Sequence, residues 1–255
     1  MTAAFCVYGI RTGIIREGDP LVDALLEGVS QSGAVSFRDG DLVVLAETAV
    51  ATAEGSIVDL ASVVPGKESF RLGDQYGIDP RLVEVVARES DEVVGGIPGH
   101  LLCMKGGTLL PNAGVDASNA PPGCVVLLPA DPDRSARTIR EEIAARTGAQ
   151  VGVIIADSRT HAMRSGCSGV AIGCAGIPSV IDARGHPDLF GRPLEVTKQA
   201  LADNIASAAE IVMGEADECT PAALIRGLGI PITDVAGVES IDAAACLFMG
   251  LLKKN

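Results

Sequence analysis

PNAGVDASNA, residues 111–120, holds one carboxylic acid among amide and hydroxyl side chains, together with a glycine. The segment has no hydrophobic run long enough to form a core strand or helix. Asp116, Ser118 and Asn119 are residue types that form turns, and their oxygens are also of the kind that bind hard cations. The segment is therefore either a plain turn or a place where oxygen ligands converge, and the rest of the chain must distinguish the two.

The composition is that of an ordinary globular protein with an acidic surface. The 255 residues suit one large domain or two small ones, and 47% of them are hydrophobic against 21% charged. Tryptophan is absent and aromatic residues make up only 3%, so the core must be aliphatic and few rings are available for stacking nucleic-acid bases. The formal net charge of −13 repels nucleic acid and anionic membranes. An anionic substrate would need bound divalent cations or a local arginine cluster.

Cysteine usage and hydropathy indicate a cytoplasmic protein. The seven cysteines are odd in number, form no CxxC pair and mostly have small or apolar neighbours, which predicts reduced thiols rather than a disulfide or zinc framework. No stretch reaches about 18 uninterrupted apolar residues, so no membrane span is expected. The N-terminus lacks a basic region followed by an apolar one, so no signal peptide is expected.

Hydrophobic periodicity predicts a mixed α/β protein. Helices are expected over 20–32, from residue 80 onward, and over 135–147, 197–213 and 241–252, and strands over 41–46, 124–128, 151–155 and 222–225. Asp19 is expected to cap the first of these helices, Asp79 to precede the start of the second, and Gly148 to end the third. Strands and helices alternate too loosely for a doubly wound βαβ fold. We therefore predict a single domain over residues 1–255, with two lobes meeting near residues 75–105 as the alternative.

Three acidic residues follow predicted strands or helices where loops can converge. Asp116, Asp157 and Glu215 would together form a hard oxygen site, suited to Mg²⁺ or Mn²⁺ rather than zinc. Mg²⁺ prefers one or two carboxylates together with phosphate oxygens, so a nucleotide is its natural partner. No GxxxxGK[ST] motif is present, so a nucleotide would bind without a Walker loop. Spacing alone leaves open that each acid is only a turn residue or a helix cap.

The order of eight segments resembles the coenzyme F420-0:L-glutamate ligases, from about residue 9 to about residue 229. The segments, in chain order, are GIRTGIIREGDPL, AETAVATAEG, PNAGVDASN, LLPADPDRSA, VGVIIADS, RSGCSGVAIGCAG, DLFGRPLEVT and LADNIASAAEIVMGEADECTPAALIRGL. The resemblance implies the family's mixed α/β fold and an intertwined homodimer. It also implies amide ligation of L-glutamate to a deazaflavin precursor through an acyl phosphate, with GTP as co-substrate and Mg²⁺ or Mn²⁺ as cofactor.

The resemblance also implies roles for individual residues. Metal would be held by Asp116, Asp157, Ser158 and Glu215, and catalysis would involve Asp157 and Arg164. The residues implied to contact the nucleotide lie in four segments and are Thr12, Gly13, Ile14, Ile15, Glu47, Thr48, Thr52, Asn119, Met213, Gly214, Ala216, Asp217, Glu218 and Thr220. On this interpretation PNAGVDASN is a metal and nucleotide loop.

Two departures from the family pattern bear on the nucleotide. Family ligases usually have Ser-Lys before AEG, and the lysine meets the phosphates, whereas this chain has Ala51 and Thr52. A neutral hydroxyl cannot replace an ammonium group at a phosphate. After the metal aspartate the family reads near DS-x-GR-x-x-R, whereas this chain reads DSRTHAMR, so Thr160 and His161 replace the Gly-Arg pair. Arg164 remains from the pattern, and Arg159 is a candidate to reach the same anion from another angle. These changes predict a paralogue that keeps the metal site and alters a nucleotide contact or the acceptor.

Three functions remain open from the sequence. The first is a metal- and GTP-dependent ligase acting on coenzyme F420-0 or a related acid. The second is a diverged relative that binds a nucleotide or a deazaflavin-like anion without turnover, and the missing lysine keeps it open. The third is a structural or partner-binding protein, which the presence of all three acids disfavours.

Overall fold

Two units make up the chain in this computed structural model, which describes residues 4–249. The first unit comprises Met1–Gly55 and Pro129–Val238, and the second comprises Ser56–Leu128 and Glu239–Asn255. Residues 75–105 all lie within the second unit.

The structure has a mixed α/β content, as the sequence predicts. In chain order the strands are β1 (Cys6–Ile10), β2 (Leu42–Ala46), β3 (Ile57–Asp59), β4 (Glu92–Ile97), β5 (His100–Lys105), β6 (Thr108–Pro111), β7 (Cys124–Val126), β8 (Gly152–Thr160), β9 (Cys167–Ala175), β10 (Val180–Asp182), β11 (Lys198–Ala200) and β12 (Ala222–Arg226). The α-helices are α1 (Leu21–Gln31), α2 (Glu47–Ala53), α3 (Lys67–Tyr76), α4 (Pro80–Glu89), α5 (Pro132–Thr147) and α6 (Leu201–Met213). Among these described residues no helix is both long enough and apolar enough to cross a bilayer.

A five-stranded sheet forms the centre of the first unit, in the order β1-β12-β2-β8-β9. The β2 and β8 strands are parallel, and the other neighbouring pairs are antiparallel. The central strands are buried on both faces, so their side chains are continuously apolar rather than alternating. Val43 and Ile155 point into the cluster that contains residues of α1 and α5, whereas Leu42 and Ile154 point into the cluster that contains residues of α6. The sheet is therefore covered by helices on both faces.

The second unit has its own aliphatic core and two small sheets. The β4, β5 and β6 strands form an antiparallel meander, and β3 pairs with β7. Apolar residues of α4, including Val83 and Val86, are buried in one cluster with Leu101 and Cys103 of β5. A turn at Asn112, Ala113 and Gly114, all three with positive φ, follows β6.

Local capping signals were read correctly where the helix ends are set by short-range contacts. Asp79 caps α4 by accepting a hydrogen bond from the Arg81 amide, and Gly148 ends α5 in the left-handed conformation that glycine favours. Asp19, predicted as the cap of the first helix, instead accepts from the Arg16 amide, and α1 has no side-chain cap.

Two predicted helices differ from the structure. The helix expected over 197–213 begins only at Leu201, because Lys198–Ala200 pair with Val180–Asp182 as a two-stranded arm. The terminal helix expected over 241–252 was wrong in its described part, where residues 243–248 form turns and a bend, while its last residues lie outside the described range. Backbone hydrogen bonds from Ala245 and Cys246 to the Asp242 carbonyl close these turns.

All seven cysteines are free thiols, as expected from their odd number and spacing. Cys103 and Cys174 are buried, whereas Cys6, Cys167 and Cys219 are exposed.

Candidate functional site

One edge of the five-stranded sheet gathers four of the segments singled out from the sequence. The last residue of β1, Ile10, pairs with the first residue of β12, Ala222, which in turn pairs with Leu45 near the end of β2. Parallel pairing sets Ala46 opposite Ala156 of β8. The turn at 12–15, the start of α2 and the loop at 214–221 therefore follow or precede strands at this same edge, which we call the loop edge, and Asp157 lies there directly after the part of β8 that pairs with β2. Ligands commonly bind where strand ends bring loops together.

Asp157 and Ser158 lie within a strand and not in the loop expected after it. The parallel pairing of β8 with β2 stops at Ala156, but β8 continues to Thr160 because β9 pairs with it in antiparallel register. A register shift between Ile155 and Ala156 marks the transition. The two residues thus sit just beyond the parallel part of the sheet, held by β9 on one side only, which fixes their backbone while leaving the loop edge open.

Ser158 is placed between two glutamates that come from different parts of the chain. Its Oγ lies 2.5 Å from Oε1 of Glu210, in the last turn of α6, and 3.0 and 3.1 Å from the two carboxylate oxygens of Glu215, in the following loop. A strand, a helix end and a loop therefore deliver three oxygen-bearing side chains to one point. Neither glutamate forms an ion pair with any residue of the described range 4–249.

The electrostatics of this point favour a cation. Burial raises the pKa of Glu210, and the negative charge of Glu215 raises it further, while the hydrogen bond from Ser158 acts in the opposite direction. The thiol pKa of nearby Cys167 is raised as well, first by burial and then by Glu215, Glu210 and Asp157. Glu210 and Glu215 therefore repel each other, and a divalent cation would relieve this repulsion.

Asp157 already has a cationic neighbour in the protein. Arg159, two residues along β8, places its Nε 2.7 Å from Asp157 Oδ2, and both side chains are mostly buried. Residues two apart in a strand share one face, so this pair forms locally. Asp157 and the Glu210–Glu215 pair consequently differ: one carboxylate is neutralised by a guanidinium, and the other two are not.

The donor set suits a hard cation that keeps open positions. Among residues 4–249, no group of three or more His, Cys, Asp or Glu side chains is arranged to hold a metal ion. The Glu215 carboxylate and the Ser158 hydroxyl nevertheless match the way Mg²⁺ is bound. The ion takes one or two carboxylates, and water and phosphate oxygens fill its remaining positions. No nitrogen or sulfur ligand stands in this set, which disfavours zinc.

Two segments assigned to the nucleotide by resemblance are joined directly. The Thr12 amide donates a 2.9 Å hydrogen bond to the Cys219 carbonyl, so the turn at 12–15 is attached to the loop at 214–221. Gly214 has a φ of +76°, and a Cβ there would lie 2.3 Å from the Glu218 carboxyl carbon, so glycine is required. Glu218 in turn accepts from the Ala216 amide, which folds the loop on itself. Thr220 continues from this loop to β12.

The other residues of these two segments differ in how far they are exposed to solvent. Gly13, Ile14 and Ile15 line an open cavity of about 240 Å³ together with residues from the start of α1. Asp217 is exposed in the loop, whereas the Met213 side chain is buried in the core beneath α6. A nucleotide contact at Met213 would therefore be made by its backbone.

The AETAVATAEG segment forms the end of β2 and the short helix α2. Glu47 and Thr48 begin the helix at the loop edge, and the Thr48 hydroxyl donates to Glu47 Oε1 at 2.6 Å. Thr52, where the family has lysine, is only 9% exposed, and Ala51 is fully buried. Glu54 of the AEG motif accepts a short hydrogen bond from Ser135 at the start of α5, beside an open cavity of about 460 Å³.

Arg164 lies in the exposed turn between β8 and β9. Its amide donates to the His161 carbonyl, which closes the turn, and the His161 ring lies 2.7 Å from the Ser168 hydroxyl. The Arg164 side chain is exposed at the tip of this hairpin.

The PNAGVDASNA segment, residues 111–120, lies in the second unit. Asp116 forms a backbone bridge with Val126, and its Oδ1 accepts from the Ser118 amide at 2.9 Å. Asn119 is exposed with a φ of +55°, and Asn112 uses its side-chain oxygen to accept from the Leu101 amide. The segment is therefore a structured turn whose acid is half-buried, and Asn112 has a structural role. The assignments of Asp116 and Asn119 to metal and nucleotide rest on the resemblance.

Sequence reasoning missed Glu210. It lies in a helix predicted from its apolar face, where a glutamate is ordinarily a solvated residue, and nothing local distinguishes it. Its five-residue separation from Glu215 places the two side chains together only because α6 ends between them at Gly214.

Most of the chain is similar in sequence to known proteins of one family. Residues 9–227 match the sequence model of the family described as F420-0:Gamma-glutamyl ligase. A coenzyme F420:L-glutamate ligase of Methanopyrus kandleri is 45% identical over 215 residues, covering 84% of this chain and 83% of that protein. The ligase of the same description from Methanocaldococcus jannaschii is 40% identical over 236 residues, covering 92% of each chain. The one from Methanothermobacter thermautotrophicus is 41% identical over 220 residues, covering 83% and 86%.

A family match of this extent, with the matching loops gathered at one sheet edge, identifies the chain as a member of the F420-0:gamma-glutamyl ligase family, whose members are amide-forming ligases.

Proposed function

We propose that this protein adds L-glutamate to coenzyme F420-0, or to a closely related acid, in a reaction that consumes GTP and requires Mg²⁺ or Mn²⁺. The relatives from three archaea carry the description coenzyme F420:L-glutamate ligase, which supports the choice of acid and amine. The observation that carries the proposal is the loop edge itself. There Ser158 and Glu215 offer oxygen atoms to a cation, Glu210 contacts Ser158, and the Thr12 turn is bonded to the loop that contains Glu215 and ends at Thr220.

The chemistry follows from what an amide ligase must accomplish. A carboxylate oxygen of the acid attacks the γ-phosphorus of GTP, the bond to the β–γ bridging oxygen breaks, and GDP leaves. The glutamate amine then attacks the acyl carbon of the acyl phosphate, inorganic phosphate leaves, and the amine loses a proton. Both steps bring together several negative charges on a protein of net charge −13. Divalent cations held by Asp157 on one face of β8, and by Ser158 and Glu215 on the other, would neutralise charge on the β- and γ-phosphates.

The protein's own residues then bind and orient the anions. Arg159 and Arg164 are the guanidinium groups at or near the end of β8, and charge-assisted bonds from guanidinium to phosphate are strong and directional. The turn at 12–15 lies in the same unit, and the backbone N–H groups of Gly13, Ile14 and Ile15 are proposed to contact the phosphates or the base, since the Thr12 amide is bonded to Cys219. Asp116, in the second unit, is assigned as a further metal ligand on the resemblance, and Asn119 as a nucleotide contact.

A second candidate is a diverged family member that binds a nucleotide or a deazaflavin-like anion without turnover. The observation that favours it is Thr52, which is buried where family ligases have a lysine at the phosphates. If the ligase is active, another cation must take over the role of that lysine.

The protein is further proposed to be a cytoplasmic homodimer. The β10–β11 arm and the loop between its strands expose large apolar side chains that are costly to leave in water, among them Leu189, Phe190 and Val196. A second copy of the chain is the occupant proposed for them, in line with the intertwined dimer of the family. Light scattering at micromolar concentration should give about twice the 26.0 kDa monomer mass, and a Phe190→Asp variant should shift towards the monomer. A monomer mass for the wild-type protein would contradict the dimer.

The function is tested with purified protein, GTP, Mn²⁺, L-glutamate and coenzyme F420-0. Release of GDP together with a product heavier by one glutamate residue, and loss of both on omission of the metal, would support the ligase. GTP binding without product under these conditions would favour the non-catalytic relative. Replacing GTP with ATP and glutamate with other amino acids in matched reactions identifies the co-substrate and the amine.

A further inference from the structure

We propose that Glu210 is a positioning residue for the metal site. It accepts a hydrogen bond from the Ser158 hydroxyl and so directs the oxygen lone pairs of Ser158 towards the cation. This inference rests on the proposed metal dependence and adds a residue to it. The contact that carries it is the 2.5 Å distance between Ser158 Oγ and Glu210 Oε1.

A serine hydroxyl has one proton and two lone pairs, so its acceptor determines where the lone pairs point. Glu210 is the nearer of the two carboxylates, at 2.5 Å against 3.0 and 3.1 Å for the oxygens of Glu215. Donation to Glu210 therefore leaves the lone pairs on the side that Glu215 occupies. A cation between Ser158 and Glu215 would then meet a lone pair instead of a proton. Groups behind a metal ligand commonly fix its orientation in this way.

Close packing of α6 on β9 holds Glu210 in place. Gly169, the residue opposite Ser158 in the β8–β9 ladder, lies so near the helix that a Cβ there would be 2.6 Å from the backbone carbon of Ala206. The Ser207 hydroxyl also donates to the Gly169 carbonyl at 2.9 Å. The backbone of Gly169 contributes a hydrogen bond to the Glu210 carboxylate as well. The positions of α6, β9 and the Glu210 carboxylate are therefore fixed relative to Ser158.

The position of Glu210 in the fold is electrostatically unfavourable for an acid. Glu210 stands in the last turn of α6, where a negative charge opposes the helix dipole, and Glu215 adds like-charge repulsion. No ion pair offsets these costs within the part of the chain that the structure describes. The carboxylate accepts hydrogen bonds from the Gly169 backbone, which joins α6 to β9, and from Ser158, and the second of these bonds gives it an effect on a proposed metal ligand.

The experiment measures Mn²⁺ affinity by calorimetry for the full chain and for a double-mutant cycle. Glu210→Ala should weaken Mn²⁺ binding about 10- to 100-fold, the usual cost of losing a group behind a metal ligand. In a Ser158→Ala background the same change should have little further effect, because the two residues act through one hydrogen bond. Glu210→Gln keeps an oxygen acceptor for the Ser158 proton and should stay within roughly threefold of the wild type. Glu141→Ala, an exposed glutamate of α5, controls for the loss of one negative charge.

The outcomes separate the two proposals. If the wild type binds Mn²⁺ and Glu210→Ala weakens binding equally with and without Ser158, or does not weaken it, the positioning role is overturned while the metal site stands. Equal losses for Glu210→Gln and Glu210→Ala would also overturn it, because they would indicate a charged ligand. If the wild type does not bind Mn²⁺, the metal dependence fails and this inference fails with it. Circular dichroism and thermal unfolding without metal identify any variant that has lost its fold.

Discussion

Arg159 and Asp157 form an ion pair along one face of β8, with 2.7 Å between Nε and Oδ2. The Arg159 side chain is 12% exposed and that of Asp157 is 15% exposed, so the pair is shielded from water and salt. A carboxylate proposed to bind metal is thus held by a protein cation in the absence of metal. Arg159 is therefore expected to compete with a divalent cation for the negative charge of Asp157.

Replacing Arg159 should therefore separate metal binding from nucleotide binding. Arg159→Gln is expected to raise Mn²⁺ affinity about tenfold without nucleotide, equivalent to roughly 1.4 kcal/mol, because Asp157 loses its competing partner. In the presence of Mn²⁺ the same variant should bind GTP about 10- to 100-fold more weakly if Arg159 contacts a phosphate, at about 1.5–3 kcal/mol per charge-assisted bond. Calorimetric titrations give both constants, with Arg137→Gln on the exposed face of α5 as control. Unchanged Mn²⁺ affinity would show that the ion pair does not compete with metal.

Asp116 in the second unit can be tested without disturbing its turn. Asp116→Asn keeps the oxygen that accepts from the Ser118 amide but removes the charge, so we expect a folded protein that no longer binds Mn²⁺ in calorimetry. Asp59→Asn is a matched control, because Asp59 likewise accepts a hydrogen bond from the amide two residues later. Wild-type Mn²⁺ affinity in Asp116→Asn would remove this residue from the metal set.

Thr52→Lys restores the family's residue at a position that is 9% exposed. The lysine stem can pack along α2 while its ammonium group reaches outwards, so we expect about tenfold tighter GTP binding in the presence of Mn²⁺. Thr52→Met has a similar length without the charge and should show no gain. A lysine variant that binds no better than the methionine variant would favour the non-catalytic relative. Undetectable GTP binding by both the wild type and Thr52→Lys at millimolar nucleotide would reject the GTP-dependent ligase.

The ion pair of Arg226 and Asp41 should be a main determinant of stability in the first unit. Arg226 donates to both oxygens of Asp41 at 2.8 and 2.6 Å and also to the carbonyls of Ala34 and Ser36. Asp41 is 1% exposed, so Arg226→Met leaves an unpaired buried charge and is expected to cost about 3–5 kcal/mol in urea unfolding. Arg184→Met, which removes an exposed ion pair with Asp182, should cost at most about 1 kcal/mol. Similar losses for the two variants would contradict the importance of burial.

Cys174 should be inert towards alkylation in the native protein. Burial, with a smaller effect of the Asp133 charge, raises the pKa of its thiol to about 12. At pH 8 the reactive thiolate is then about one in ten thousand of the population, and the sulfur is also inaccessible. Mass spectrometry after iodoacetamide treatment should show labelling of the exposed Cys6 and Cys219, with Cys174 labelled only after unfolding. Native labelling of Cys174 at a comparable rate would show that this part of β9 opens.

Local patterns in the sequence determined the parts of the fold that depend on short-range physics. The buried strand at 42–46 was visible as an apolar run, and the ends of α4 and α5 were visible as an aspartate cap and a terminal glycine. The order of the family segments was enough to identify the family, because each segment is recognisable by itself. These signals lie within a few residues of each other, where periodicity and turn chemistry operate.

Only the tertiary structure decided how those segments combine. Asp157 and Ser158 lie inside a strand because β9 pairs with β8 beyond the end of β2, and α6 is shortened because residues 198–200 pair with 180–182. Glu210 meets Ser158 across 52 positions of sequence, and no local pattern predicts that contact. Hydrophobic periodicity records which side of an element is buried, whereas strand pairing and side-chain contacts depend on the free energy of the whole packed unit. The sequence was therefore enough to identify Asp157, Ser158 and Glu215 as candidate site residues, whereas Glu210 could be identified only from its contact with Ser158 in the fold.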